Sequence, residues 1–208
     1  MFVSPILMYG LEIVLPNRGI LYKLEMAQKR FIKQLFMLHI NTPYVAIYLL
    51  SGLLPIGAMI HKSAIVTFNS VCLQKDDAVE RRLALRKVSV KSAKSACWFK
   101  EVHKLFGKYD LRNPEEKLET PVEKPILKKK VKTAIYRHWQ DLILTKALNT
   151  SKLRHLNLQH VAIGRPNPLL QIPARSSWDA NRALVKLNLM TGTYDLQSTR
   201  ARFNKTFG

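Results

Sequence analysis

The stretch Leu21–Ile56 constrains this chain more than any other. Asn17 offers an N-cap, and Leu21, Leu24, Ala27, Phe31, Leu35 and Leu38 then fall at helical spacing. Lys23, Gln28, Lys29, Arg30, Lys33 and Gln34 fill the remaining faces, which predicts one amphipathic helix with a basic flank. Asn41-Thr42-Pro43 stops it and starts another, with Thr42 expected to cap and Pro43 to take the first helical position. The second helix is short and runs into Ser51-Gly52, and Leu54-Pro55 opens the next element.

Other segments read the same way. Ile56, Met59, Ile60, Ala64, Ile65, Phe68, Val71 and Cys72 mark an apolar helix ending near Gln74. Asp76-Asp77 starts a shorter helix from Ala78 to about Lys87, and 88–94 is expected to be a loop. Ser95 is expected to cap a helix ending near Phe106, with Gly107 as C-cap and with Trp98, Phe99, Val102, Leu105 and Phe106 on its apolar face. A helix from about Ile126 carries Leu127, Val131, Ile135, Trp139 and Leu142 on one stripe. Residues 149–175 read as irregular, and Ser177 is expected to cap a last helix from Trp178 to about Met190. Residues 3–15 fit a short buried strand or a helix equally well.

These readings predict a mainly α chain in two parts. A helical region spans 1–112, an acidic Pro-containing linker spans 113–123, and a basic helical region spans 124–208. A hydrophobic content of 47% over 208 residues is enough for a packed core. Lys and Arg number 34 against 14 acids, a formal charge of +20, which implies a polyanionic partner. Nucleic acid comes first and an anionic membrane surface second. From Lys124 onward the imbalance sharpens to 16 basic residues against Asp141, Asp179 and Asp195. Residues 1–16 contain Glu12, lack a basic leader and are too short to span a bilayer, so neither a targeting leader nor a membrane span is expected, and no membrane is expected as partner beside the favoured nucleic acid.

Particular words in the sequence point further. Ser4-Pro5-Ile6-Leu7-Met8-Tyr9-Gly10-Leu11-Glu12, the Lys29–Lys33 helix and Asn41-Thr42-Pro43 resemble the start of the thumb in reverse transcriptases of non-LTR (LINE-class) retrotransposons. Ser95 through Leu111 looks like that family's S-x-x-W-F-x-x-[VI]-x-x-L-x-x-x-Y-x-L. The Ile135–Trp139 helix, Gly164-Arg165-Pro166-Asn167-Pro168 and Ala183–Tyr194 also match the family in order and spacing. The resemblance implies a thumb-like helical bundle followed by a post-thumb region. It also implies RNA or DNA backbone as partner, and in a full-length parent a palm domain and a zinc knuckle. An intracellular setting, nucleus or cytoplasm, is implied as well.

Catalysis is not expected. The family polymerises nucleotides with palm carboxylates that hold two Mg ions about 3.5–4 Å apart. The adjacent aspartates here, Asp76-Asp77, precede a helical pattern instead, so the chain reads as beginning after the palm, without a cofactor of its own. The knuckle's C-x-x-C is absent, and Cys97 with His103 lacks the other ligands of a four-coordinate site. Phosphate-binding loops, nucleophile elbows and H-E-x-x-H are absent too.

Backbone binding by Lys and Arg needs no catalytic centre. Lys29, Arg30 and Lys33 are thumb candidates by resemblance. Lys128, Lys129, Lys130, Lys132 and Arg137 are candidates by charge density, since adjacent lysines repel one another without a counter-charge. Arg165 and Arg175, with Arg200, Arg202 and Lys205, form a third group. Trp98, Phe99, Trp139 and Trp178 are of the kind that single-strand binders stack on unpaired bases, but each lies on an apolar stripe and is expected in the core. The competing readings are a helical protein-interaction module and a decayed element fragment without a selected function.

Overall fold

The structure, a computed structural model, describes residues 8–90, 97–111, 122–171 and 176–194. The chain is mainly α-helical, as expected. Its helices are α1 (Leu11–Val14), α2 (Arg18–Leu35), α3 (Tyr44–Ser51), α4 (Ile56–Cys72), α5 (Val79–Val90), α6 (Trp98–Lys108), α7 (Lys124–Leu148) and α8 (Ser177–Met190). No strand occurs among the described residues; a lone bridge pairs Ala162 with Arg165. No single described helix is long and apolar enough to cross a membrane.

Packing divides the chain into two compact units, each made of two separated segments. One comprises Met1–Glu25 and Leu54–Trp139, the other Met26–Leu53 and Gln140–Gly208. This grouping differs in kind from a division in chain order, and the linker expected at 113–123 lies mostly outside the described residues.

The first unit is built on α4. Ile56, Ile60, Ala64, Ile65, Phe68 and Cys72 are buried along it, close to the face that periodicity predicts. Phe68 meets the rings of Trp98, Phe99 and Phe106 from α6, with centroids 5.8–6.4 Å away, distances typical of tilted and edge-to-face aromatic pairs. Trp98 and Phe99 therefore do pack against the core. Trp98 also donates from Nε1 to the Glu12 carbonyl at 2.8 Å, pinning α1. Asn69, buried on α4, donates from Nδ2 to the Val122 carbonyl at 2.9 Å and so fixes the approach to α7. Asp76 pairs with Arg81 at 3.0 Å, and Arg81 also donates to the Gln74 carbonyl at 2.8 Å, closing the turn into α5.

A polar cluster is buried beside these aromatics. Trp139 can only donate, so the Tyr109 hydroxyl accepts its Nε1–H at 3.4 Å. The Tyr109 hydroxyl also lies 2.7 Å from His61 Nδ1, and donates to it when His61 is neutral with its proton on Nε2. Burial, with the Lys108 ammonium adding to it, pulls the His61 pKa down to about 4. Burial pushes Tyr109 up to about 12, opposed by the hydrogen bond from Trp139. Lys108 itself lies over the rings of Tyr109 and Trp139, and burial lowers its pKa, with Glu25 opposing.

The second unit packs around α3. Val45, Ala46, Ile47, Tyr48, Leu49 and Leu50 are all buried, so this helix is apolar on every side rather than amphipathic. Gly52 ends it in the left-handed region at φ 66°. A Cβ there would lie 2.5 Å from the Arg165 carbonyl carbon and oxygen, so only glycine lets the two segments touch. The Gly164 N–H donates to the Gly52 carbonyl at 2.6 Å, and the Asn167 N–H donates to the Leu50 carbonyl at 2.8 Å. Gln140 grips the same loop, accepting from the Ile163 N–H at 2.6 Å and donating to the Val161 carbonyl at 3.2 Å. The Gly164–Pro168 segment is thus irregular but firmly bonded, flanked by short 3-10 turns at Leu158–His160 and Pro168–Leu170.

Several local expectations are corrected. Asn17 does cap α2, accepting from the Ile20 N–H at 2.9 Å. Past Leu24, however, the inward row of α2 runs through the half-buried Gln28 to the buried Ile32, while Phe31 and Leu35 are exposed. The Gln28 amide accepts from the Tyr48 hydroxyl at 3.4 Å, so a polar residue occupies a position that an apolar pattern skips. Pro43, extended at ψ 140°, is itself the N-cap of α3, and the Thr42 side chain does not cap. Residues 88–90 continue α5 rather than forming a loop, and Ser95 lies outside the described residues. Gly107 is inside α6, which ends at Lys108 with Tyr109 as its C-cap. Ser176, not Ser177, caps α8, its Oγ accepting from the Asp179 N–H at 3.2 Å. On α7 the buried row continues through Ile143 and Ala147 rather than Leu142.

Two measurements check this packing. Gly52→Ala should lower the unfolding free energy by about 2 kcal/mol or more, read by chemical denaturation, because it adds both φ strain and a clash with the Arg165 backbone. His61 binds fewer protons folded than unfolded between its folded value of about 4 and its ordinary value of 6.5. Its contribution is therefore complete above pH 6.5 and is lost as pH falls toward 4. Denaturation across that window should show stability dropping with acid, and His61→Asn should flatten the dependence.

Candidate nucleic-acid interface

A dense group of positive charge lies within the first unit, and α7 carries most of it. Burying Leu127, Val131 and Ile135 along one row leaves every other position at a set angle of about 100° per residue from that row. Lys124, Lys128 and Lys132, spaced by four, fall one step round from it, at the margin of the buried face. Across that margin α4 supplies Lys62, Ser63, Val66 and Thr67, and α1 supplies Glu12. Together they line an open cleft of about 560 Å³. Its lining thus holds four lysines against a single glutamate, with a serine and a threonine beside them.

The arrangement is electrostatically unfavourable on its own. Lysines at i and i+4 repel by about 0.2–0.5 kcal/mol per pair on an exposed helix. Lys124 also opens the first turn of α7, where the helix dipole is positive, with Glu123 directly before it as the nearest acid. A phosphate entering the cleft would relieve both terms while accepting hydrogen bonds from the lysines and from Ser63 and Thr67. Glu12, held by the Trp98 bond to its carbonyl, marks one wall of the cleft.

The sequence candidates divide accordingly. Lys128 and Lys132 line the cleft, and the Lys132 ammonium also lies 5.5 Å from the Tyr136 ring. Lys129 is about 200° round from the buried row and Lys130 lies on its opposite flank. Both are exposed, as is Arg137, and none of the three lines the cleft. Sequence reasoning misses Lys62 and Lys124. The spacing of Lys124 with Lys128 and Lys132 is a signal that could find the second; nothing in the sequence marks Lys62, whose place depends on tertiary packing.

The thumb candidates belong largely to the second unit's own structure. Lys29 lies over the Tyr44 ring at 5.1 Å, and Lys146 approaches the same ring at 5.7 Å. Lys33 donates to the Ile40 carbonyl beyond the end of α2, and burial lowers its pKa. Arg30 is exposed. Arg165 is exposed on the bonded loop at Gly164–Pro168. Arg175, Arg200, Arg202 and Lys205 lie outside the described residues.

The aromatic expectations divide as well. Trp139 is half-buried within the Tyr109 cluster, as a core residue should be. Trp178 is not in the core: it is 64% exposed, with the Arg182 guanidinium 4.5 Å above its ring. Leu187, the buried residue of α8, is nine positions away, which is half a turn out of phase. Helical spacing alone places Trp178 on an apolar stripe, but it does not say which side of α8 is covered.

Among the described residues, no three His, Cys, Asp or Glu side chains converge. Asp76 is engaged with Arg81, and His155 accepts from Arg154 Nε at 3.0 Å. Comparison with protein-family models, with curated proteins and with solved structures found no match in any of the three.

Proposed function

We propose that this chain binds the backbone of RNA or DNA, as the thumb and post-thumb region of a LINE-class reverse transcriptase, and that it grips phosphates rather than copying a template. The observation that carries the binding is the cleft lined by Lys62, Lys124, Lys128 and Lys132, three of them on one helix face with no acid in its first turn. A phosphodiester is the chemical match: singly charged, small, and able to accept from an ammonium and a hydroxyl together. The family assignment rests on the ordered motifs of the sequence. Asp76 is paired to Arg81 at the start of α5, which supports reading the adjacent aspartates as a helix start.

A second reading, a helical protein-interaction module, is favoured by one observation. Phe31 and Leu35 are exposed one turn apart on α2, with Met37 and Ile40 exposed just beyond. Such a surface would give a salt-tolerant complex of defined stoichiometry.

Salt dependence separates the two. Four phosphate contacts to a duplex give a slope of roughly −3.6 in log K against log salt, so affinity should fall about 100-fold between 50 and 200 mM salt. The double variant Lys124→Gln/Lys128→Gln should reduce that slope by nearly two. Lys129→Gln/Lys130→Gln removes the same charge outside the cleft and should reduce it less. Equal effects of the two pairs, or flat binding across the salt range, would sink the cleft as the site.

A further inference from the structure

Trp178 stands in solvent where a buried tryptophan was expected, and its surroundings give it a use. Ser176 caps α8 reciprocally, accepting from the Asp179 N–H and donating to Asp179 Oδ2 at 3.1 Å, so the first turn that carries Trp178 is well ordered. One turn on, Arg182 lays its guanidinium 4.5 Å from the indole centroid. The cation holds the ring in one orientation and occupies one of its faces. Much of the ring still meets water, since the residue is 64% exposed. A large aromatic in water forgoes burial energy unless something covers it. Lys186, also exposed, comes one turn after Arg182.

We infer that the Trp178–Arg182 pair is a stacking platform for an unpaired nucleobase, so that the chain prefers single-stranded to fully paired nucleic acid. The inference rests on the backbone-binding reading and deepens it. An indole beside a guanidinium offers the flat, cation-flanked surface on which any base can stack, while neighbouring Lys and Arg take the adjacent phosphates. A chain with formal charge +20 draws a polyanion to that surface before an apolar partner. A base inside a duplex is already stacked on both faces, so away from the duplex ends only an unpaired one can use the platform. Val185 and Leu189, partly exposed on the same side of α8, extend the surface without adding charge.

The test uses the full chain and three fluorescent 20-mers: a mixed-sequence single strand, its duplex, and a strand of abasic sites with the same phosphates. Trp178→Ala should weaken binding to the base-bearing single strand by about 5- to 100-fold, the range expected for one lost base–aromatic stack. It should leave the abasic strand and the duplex within about twofold. Trp178→Phe, which keeps a ring, should restore most of the loss. If Trp178→Ala weakens all three ligands equally, or none, the platform is overturned while the backbone reading stands. If the wild-type chain binds none of the three, both are overturned. Loss of a salt-tolerant protein complex on Trp178→Ala, with all three affinities intact, would assign the face to a protein partner and overturn the platform.

Discussion

Burial of the Leu127–Val131–Ile135 row is the constraint on which the rest of the first unit's chemistry depends. A helix has one angular register, so choosing which row goes inward also decides where every charge goes. With that row inward, Lys124, Lys128 and Lys132 can only lie along its edge, against α4, where Lys62 meets them. The Asn69–Val122 hydrogen bond secures the start of the helix and the Trp98–Glu12 bond secures the opposite wall. Apolar packing is thus what concentrates like charges that would otherwise separate.

The second unit uses a different device. Its central helix α3 is buried all round and ends at a glycine that the Arg165–Pro166 backbone crosses at contact distance. Backbone hydrogen bonds from Gly164 and Asn167, together with both ends of the Gln140 amide, replace the regular structure that the prolines forbid. A segment that reads as an irregular loop is therefore one of the better-bonded parts of the unit. Lys29 and Lys33, which look like free cations in the sequence, are drawn into this packing, one over Tyr44 and one at the end of α2.

Periodicity measures local spacing, and that decides how much of the molecule was legible in the sequence. The mainly α character was legible, and so were α4, most of the aromatic face of α6, the Asn17 cap and the end of α8 near Met190. The inward row of α2 was not, since it passes through Gln28, whose amide is satisfied by a distant Tyr48 hydroxyl. Helix ends shift by a residue or two where a proline or a second serine competes for the cap, as at Pro43 and Ser176. The charge-dense block at 128–132 was visible. Its sorting into cleft and non-cleft lysines was not, nor was the exposed side of α8, because both depend on which neighbours cover each helix.

The most direct test of the central claim is lysine-modification footprinting of the full chain, free and bound to a 20-nucleotide RNA, read residue by residue by mass spectrometry. Bound RNA should protect Lys62, Lys124, Lys128 and Lys132 more strongly than the neighbouring Lys129 and Lys130. Uniform protection of all exposed lysines, or protection that spares those four, would contradict it.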